Sequence, residues 1–391
     1  MNEGTPIFSQ LMRLLNRKSF QRSVAKYNGN KSVKSFSCWD QFLCMSFAQL
    51  TYRDSLRDIE ACLRSSQELL FRMGFRTKKV SKSTLSDANK IRDSRIFADF
   101  AWQVIAEARK ATENETKTNL PIDGMVFALD STIIDLCLSL FSWAKFRKAK
   151  GGIKIHTILD LHTEIPHFID ISAANLHDTK VLPKLILIPG AYYVMDRAYI
   201  AFKHLRRFTL VKANFILRLK ENIKLKRRYS RSVNKLRGVT SDHEVTLTLP
   251  TTKKKYPHSL RRIRYRDPET KKIYLFLTNN FKLSARTICD LYRARWRIEI
   301  FFKWLKQNLR IKSFFGTTEN AVRTQIWIAI TVYALAIIAK KKFKLEQELY
   351  IILQVLSVMP FDKKPINTVF SDYSIVEKCQ ENYNQLNLFK N

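Results

Sequence analysis

The sequence predicts an α/β protein: a mixed sheet with flanking helices, preceded by an all-helical region and interrupted by a β-rich stretch. Three observations carry this. Apolar residues recur at helical spacing through the first 115 positions. The texture changes near Pro121 to short apolar or alternating runs. Residues 223–285 then combine alternating segments with 17 Lys+Arg against 4 Asp+Glu.

The chain has 391 residues, 46% of them hydrophobic and 12% aromatic, enough to bury a core in two or three domains. That excludes a disordered chain. Nine glycines and ten prolines exclude collagen-like or linker-dominated architecture. With 69 Lys+Arg and 34 Asp+Glu, the formal charge is +35. Such a chain repels itself and suits a polyanionic partner: nucleic acid first, an anionic membrane surface second. Six cysteines without CxxC spacing read as reduced, mostly buried thiols of a cytosolic protein, not a zinc site or disulfide framework. Arg13, Arg17 and Lys18 interrupt the apolar pattern of residues 1–20, so no secretory leader is expected. The uncharged stretch Thr324–Ala339 is shorter than the roughly 20 residues of a membrane span and reads as a buried core helix.

In chain order, Phe8, Leu11, Leu14 and Leu15 begin the helical pattern, which continues over 40–50 and 54–64. Ser83 or Thr84 can cap a further helix bearing Ser86, Asn89, Lys90 and Arg92. That helix is either a recognition helix or an ordinary solvated one. Residues 124–130 read as a strand ending in Asp130. Segments 152–161 and 165–171 alternate, and 178–187 reads as helical. Residues 191–196 form a strand ending in Asp196, followed by a helix over 198–207 and a strand over 215–219. Strands are expected at 245–249, 261–266 and 273–278, then a long helix from Ser284 past Lys306. The boundaries expected are 1–118 for the helical N-terminal region, 119–222 and 286–345 for the two parts of the α/β domain, 223–285 for the basic insertion and 346–391 for a helical tail.

Asp130 and Asp196 each stand at the polar end of an apolar strand. If the strands are parallel neighbours, both carboxylates leave one sheet edge, where oxygen ligands suit Mg²⁺. Two divalent ions can activate a water or hydroxyl and stabilise the leaving oxygen of a phosphodiester. A single Asp at a strand end is commonplace. On the long helix, Tyr292, Arg295, Glu299 and Lys306 fall within about a 60° arc at roughly 100° per residue. The pair Arg295–Glu299 could be only a surface i,i+4 ion pair. With Ile298, Phe301, Phe302 and Leu305 nearby, the stripe borders a core and suits a metal ligand flanked by phosphate-binding groups.

Tyr292, Arg295, Glu299 and Lys306 in this spacing match the YREK signature of DDE transposases from bacterial insertion sequences, the IS-four family in particular. Asp196-Arg-Ala-Tyr199 is similar to that family's second-Asp motif, with Ala198 in place of the usual Gly. Ala128-Leu-Asp-Ser-Thr132 resembles its first-Asp motif, and Ser83–Asn89 its leader segment. The resemblance covers roughly residues 5–345. It implies a ribonuclease-H-like catalytic domain with Asp130, Asp196 and Glu299 as metal-binding triad. The metal would be Mg²⁺, with Mn²⁺ as substitute, and two ions per site. It implies a β-rich insertion before Glu299, where the basic segment lies. It implies that Tyr292, Arg295 and Lys306 contact DNA. Arg197, next to the second Asp, can touch a phosphate or merely offset local charge. His177 can contact DNA or mark a helix N-terminus with Asp178. The insertion contains no Trp, so Tyr256 or Tyr265 is the candidate to stack a flipped base.

The function expected is a cytoplasmic cut-and-paste transposase acting on double-stranded DNA as a homodimer, without membrane attachment. The alternative is a catalytically inactive DNA-binding protein or repressor derived from one.

Overall fold

The computed structural model describes residues 4–113, 120–137, 139–147, 150–220, 222–235, 238–308 and 314–371. The predicted tail therefore lies partly outside the described residues, as does Cys379. Two compact units result: Met1–Asn114 with Trp304–Asn391, and Glu115–Lys303.

The first unit opens with α1 (Ile7–Met12), α2 (Arg17–Lys26), α3 (Cys38–Leu50), α4 (Leu56–Ser65), α5 (Lys82–Ile91) and α6 (Arg95–Thr112). Ser37 and Asp40 form a reciprocal capping box at α3, which satisfies two otherwise unpaired backbone donors. Every residue of α3 is buried, so this helix is the centre of the unit. Phe20 packs on Trp39, Phe42 and Phe100 at centroid distances of 5.0–5.5 Å. The cap of α5 is Ser81, two or three residues before the expected Ser83 or Thr84. The recognition-helix reading of α5 is also curtailed. Asn89 is 2% exposed and accepts from Gln41 Nε2 at 2.8 Å. Arg92 donates to the carbonyls of Phe36 and Ser37. Of the four polar residues singled out, Ser86 and Lys90 are exposed.

The second unit is built on one sheet. Its strands are β1 (Val126–Leu136), β2 (Lys145–Arg147), β3 (Lys150–Asp160), β4 (Pro166–Ala173) and β5 (Tyr192–Met195). Then come β6 (Asn214–Arg218), β7 (Leu225–Arg231), β8 (Val239–Leu247), β9 (Leu260–Arg266) and β10 (Ile273–Thr278). Helices α7 (Phe202–Leu210), α8 (Pro250–Lys255), α9 (Ala285–Ala294) and α10 (Trp296–Asn308) accompany them. The strand order is β2-β3-β1-β5-β6-β10-β9-β8-β7, with β4 on β3. Only β1–β5 and β5–β6 are parallel; the other pairs are antiparallel. The basic stretch thus extends the same sheet through four further strands. One face packs Phe127, Leu129, Tyr193, Met195, Phe215 and Leu217 against Leu205 and Phe208 of α7.

Several local expectations are corrected. The segment 178–187 forms two short 3₁₀ turns, Asp178–Lys180 and Leu182–Lys184, the second of which carries Pro183; proline disrupts a helix interior. The helix expected over 198–207 starts later, as α7, after a single turn at Arg197–Tyr199. Strand β7 was not anticipated: residues 226–230 are all exposed, so no apolar alternation marks it. The long helix from Ser284 is interrupted at Arg295, which closes α9 and precedes α10.

The division between units falls inside α10. Helices α11 (Glu319–Lys342) and α12 (Leu349–Val358) complete the first unit. By length and composition α11 could cross a membrane, but 94% of its apolar window is buried inside the protein, as the core-helix reading expects.

Candidate active site

Strand pairing positions the two aspartates. Val126–Leu129 run parallel to Tyr192–Met195. Asp130 follows the first segment and Asp196 the second, so both leave the sheet at the same level. Strand β1 itself continues to Leu136 against β3. Asp130 is therefore not at a strand end, as expected, but at the point where β1 loses its parallel neighbour. Because side chains alternate along a strand, Asp130 faces away from the core that takes Phe127 and Leu129.

The α9–α10 junction meets it there. Arg295 donates from Nη1 to Asp130 Oδ2 at 2.6 Å and from Nη2 to Glu299 Oε1 at 2.5 Å. One guanidinium thus joins a carboxylate of the sheet to one of the helix. The guanidinium also lies over the Tyr292 ring, 5.7 Å from its centroid. Arg297 donates to the Leu161 carbonyl at 2.6 Å and ties α10 to the β3–β4 turn. Burial pushes Asp130 up to about 6; Arg295 opposes this, while Asp196 and Glu299 add to it. Burial also pushes the Tyr292 phenol up to about 12. Asp196, Tyr292 and Arg295 border a cavity of about 370 Å³ that Tyr265 and Tyr274 also line.

On the opposite face of β1, a network appears that sequence reading did not find. Asp178 accepts from Ser131 Oγ at 2.8 Å and from Lys154 Nζ at 3.1 Å. Lys154 also donates to the Leu176 carbonyl, at 2.8 Å. Burial alone would raise Asp178, but the Ser131 and Lys154 contacts outweigh it and hold the carboxyl below its ordinary value. Burial pushes His156, beside this pair, down to about 4. Tyr199 is buried next to Ser131, and burial raises its phenol well above the ordinary value. Ser131 follows Asp130 and Tyr199 follows Asp196 by three residues, so the network adjoins both acid-bearing segments. The His177–Asp178 dipeptide was its only visible trace.

The remaining candidates separate. His177 is exposed, and its Nδ1 accepts from the Thr179 backbone N–H, capping a single turn. Arg197 is exposed beside Asp196. Lys306 belongs to the first unit. Tyr256 is 1% exposed in the core and bonded to Thr209, so it presents no face for stacking; Tyr265 borders the cavity.

Three carboxylates offer the hard oxygen donors that Mg²⁺ prefers. The mutual influence of Asp130, Asp196 and Glu299 is a field suited to a cation, and Arg295 supplies one between two of them. Among the described residues, no three His, Cys, Asp or Glu side chains stand close enough to hold a metal ion. In this arrangement the Arg295 guanidinium stands between the Asp130 and Glu299 carboxylates.

This frame is that of a polynucleotidyl transferase, and the chain belongs to the DDE transposase family: the transposase DDE domain matches residues 122–335, across both aspartates and the Arg–Glu helix. A domain of unknown function matches residues 3–76. The chain is similar to the "Putative transposase y4zB" of Sinorhizobium fredii, 34% identical over 66% of this chain and 71% of that protein. It is also similar to the "Probable transposase for insertion sequence element IS5377" of Geobacillus stearothermophilus, 30% identical over 61% and 62%. Transposases act on DNA, a polyanion, and this chain carries a formal charge of +35.

Proposed function

We propose that this protein binds the inverted-repeat ends of an insertion sequence, cuts the DNA strand there, and joins the freed 3′ hydroxyl to target DNA. The observation that carries this is the meeting of Asp130, Arg295 and Glu299 beside Asp196. The sheet order and the acid positions support a ribonuclease-H-like catalytic domain.

Asp130, Asp196 and Glu299 would hold divalent metal, Mg²⁺ or Mn²⁺, in two ions. When bound, such ions supply Lewis-acid stabilisation of charge on the phosphate and a lowered pKa for the attacking water. The chain's own residues set the rest. Arg295 exchanges its carboxylate partners for a phosphate of the DNA, a change between two charge-assisted contacts. Tyr292, half-buried with its ring centroid 4.6 Å from that of Phe276, holds the Arg295 guanidinium near that position. Arg197 and Lys306 contribute further phosphate contacts. Hydrolysis breaks the bond between phosphorus and the 3′ oxygen; strand transfer reuses that 3′ oxygen as nucleophile. The first unit's helices bind the terminal repeat, and two copies of the chain synapse two ends in the cytoplasm.

A Mg²⁺-dependent nicking assay on end DNA tests this. Nicking that disappears with EDTA supports it. Tight, sequence-specific end binding with no nicking at any divalent ion would make the protein a repressor instead.

A further inference from the structure

We infer that strand β7, together with the groove beside it at the start of α9, is a second contact for the DNA backbone, occupied by the same duplex that is cut. This rests on the reading of Asp130, Asp196 and Glu299 given above.

Strand β7 is the terminal strand of the sheet, and residues 226–230 of its Leu-Lys-Arg-Arg-Tyr-Ser-Arg sequence are all exposed. A single lysine can be enough to discourage edge pairing; four cations and a tyrosine in one strand exceed that need. The register shifts between Arg227 and Tyr229, so a bulge sits at Arg228, whose Nε donates to Thr246 Oγ1 at 3.2 Å. Beyond the bulge, Tyr229 stands opposite Glu244 and Arg231 opposite Asp242. Bulges re-aim side chains. Here Tyr229, 63% exposed, and Arg231 border a groove of about 620 Å³ that also takes Lys282 and Arg286. Asp242, the carboxylate in its wall, is neutralised by the buried Arg261 through bonds of 2.8 and 2.6 Å. Among the described residues, no carboxylate forms an ion pair with Lys226, Arg228, Arg231 or Lys282. Arg231 is fixed by its bond to the Phe281 carbonyl and its place over the Phe281 ring. The result is a firmly held, net-positive groove with one aromatic at its lip.

Its position selects the occupant. The groove lies at the first residues of α9, while Tyr292 and Arg295 lie at the last. Ten helical residues span about 15 Å. Phosphates of one strand advance about 3.4 Å each along a duplex. A duplex with its scissile phosphate at the acids therefore passes the groove about half a turn away, about four or five base pairs on, where the complementary strand faces the protein.

The test is methylphosphonate scanning of end DNA, which neutralises one phosphate at a time. Wild-type binding should weaken at a cluster about four or five base pairs from the cut, on the complementary strand. The triple variant Lys226→Glu, Arg228→Glu, Lys282→Glu should lose end affinity at least tenfold. Its log–log salt slope should fall by about three, and the interference cluster should vanish. The scan on wild-type protein stands even if the variant folds poorly. Asp130→Ala should retain the same cluster, which separates this inference from the catalytic assignment. The inference is overturned by an absent cluster on wild-type, by unchanged affinity and slope in the variant, or by a variant that loses only target capture with pre-cut ends.

Discussion

Arg295 reaches across 165 positions of sequence to donate to the Asp130 carboxylate at 2.6 Å, while its other terminal nitrogen holds Glu299. A side chain expected to face DNA instead occupies the place between two of the expected metal ligands. On the proposed function, metal entry and arginine departure are one exchange.

Removal of that guanidinium should expose the exchange directly. Arg295→Ala should bind Mn²⁺ without DNA about tenfold or more tightly than wild-type, since roughly 1.4 kcal/mol of competition per tenfold is relieved. End affinity should fall in the same variant. Calorimetric titration checks both; unchanged or weaker metal binding contradicts the exchange.

Asp130 also carries a stability cost. Its pKa of about 6 lies above the ordinary 3.8. The folded state therefore holds a proton more readily than the unfolded chain does. The penalty is absent below pH 3.8, grows as pH rises to 6, and is complete above that. Asp130→Asn should be inactive yet more stable at pH 8, by up to about 3 kcal/mol. The gain should shrink towards pH 3.5 in denaturation curves. An equally large gain at pH 3.5 would remove the electrostatic explanation.

His156 has the opposite sign. Its pKa of about 4 lies below the ordinary 6.5 because it is buried neutral. As pH falls from 6.5 to 4, the unfolded chain takes up a proton that the folded protein refuses. That term should cost wild-type up to roughly 3 kcal/mol over this window. His156→Gln should lack it, so the two stability curves should converge with acid. Parallel curves would place His156 elsewhere.

The Lys154–Asp178 pair joins a buried lysine to a half-buried aspartate behind the acids. Lys154→Met alone leaves a half-buried carboxylate without its cation and should cost about 2 kcal/mol. Adding Asp178→Asn should restore much of that stability. Cleavage should stay slow in the double variant with end binding intact, because the bond from Ser131 to Asp178 adjoins Asp130. Full recovery of cleavage would show that the network supports folding alone.

The strands bearing Asp130 and Asp196, and helix α11, are legible in sequence because burial on both sides leaves continuous apolar runs. The spacing of Tyr292, Arg295 and Glu299 brings the right side chains together although the helix breaks at Arg295; the break lies between residues one turn apart and scarcely moves the stripe. Strand β7 was illegible because a charged edge strand has no apolar face. The Ser131–Asp178–Lys154 network was illegible for another reason. Its members are 23–47 positions apart and meet only through strand pairing and the turns after β4. Asn89 misled because a polar residue on a helix can serve a buried bond as readily as a solvent face.

The most direct measurement is Mg²⁺-dependent nicking of end DNA by Asp130→Ala, Asp196→Ala and Glu299→Ala, each compared with wild-type and each assayed for end binding. Loss of nicking in all three, with end binding retained, is the predicted result. Nicking at the wild-type rate in all three would contradict the assignment of these carboxylates to catalysis.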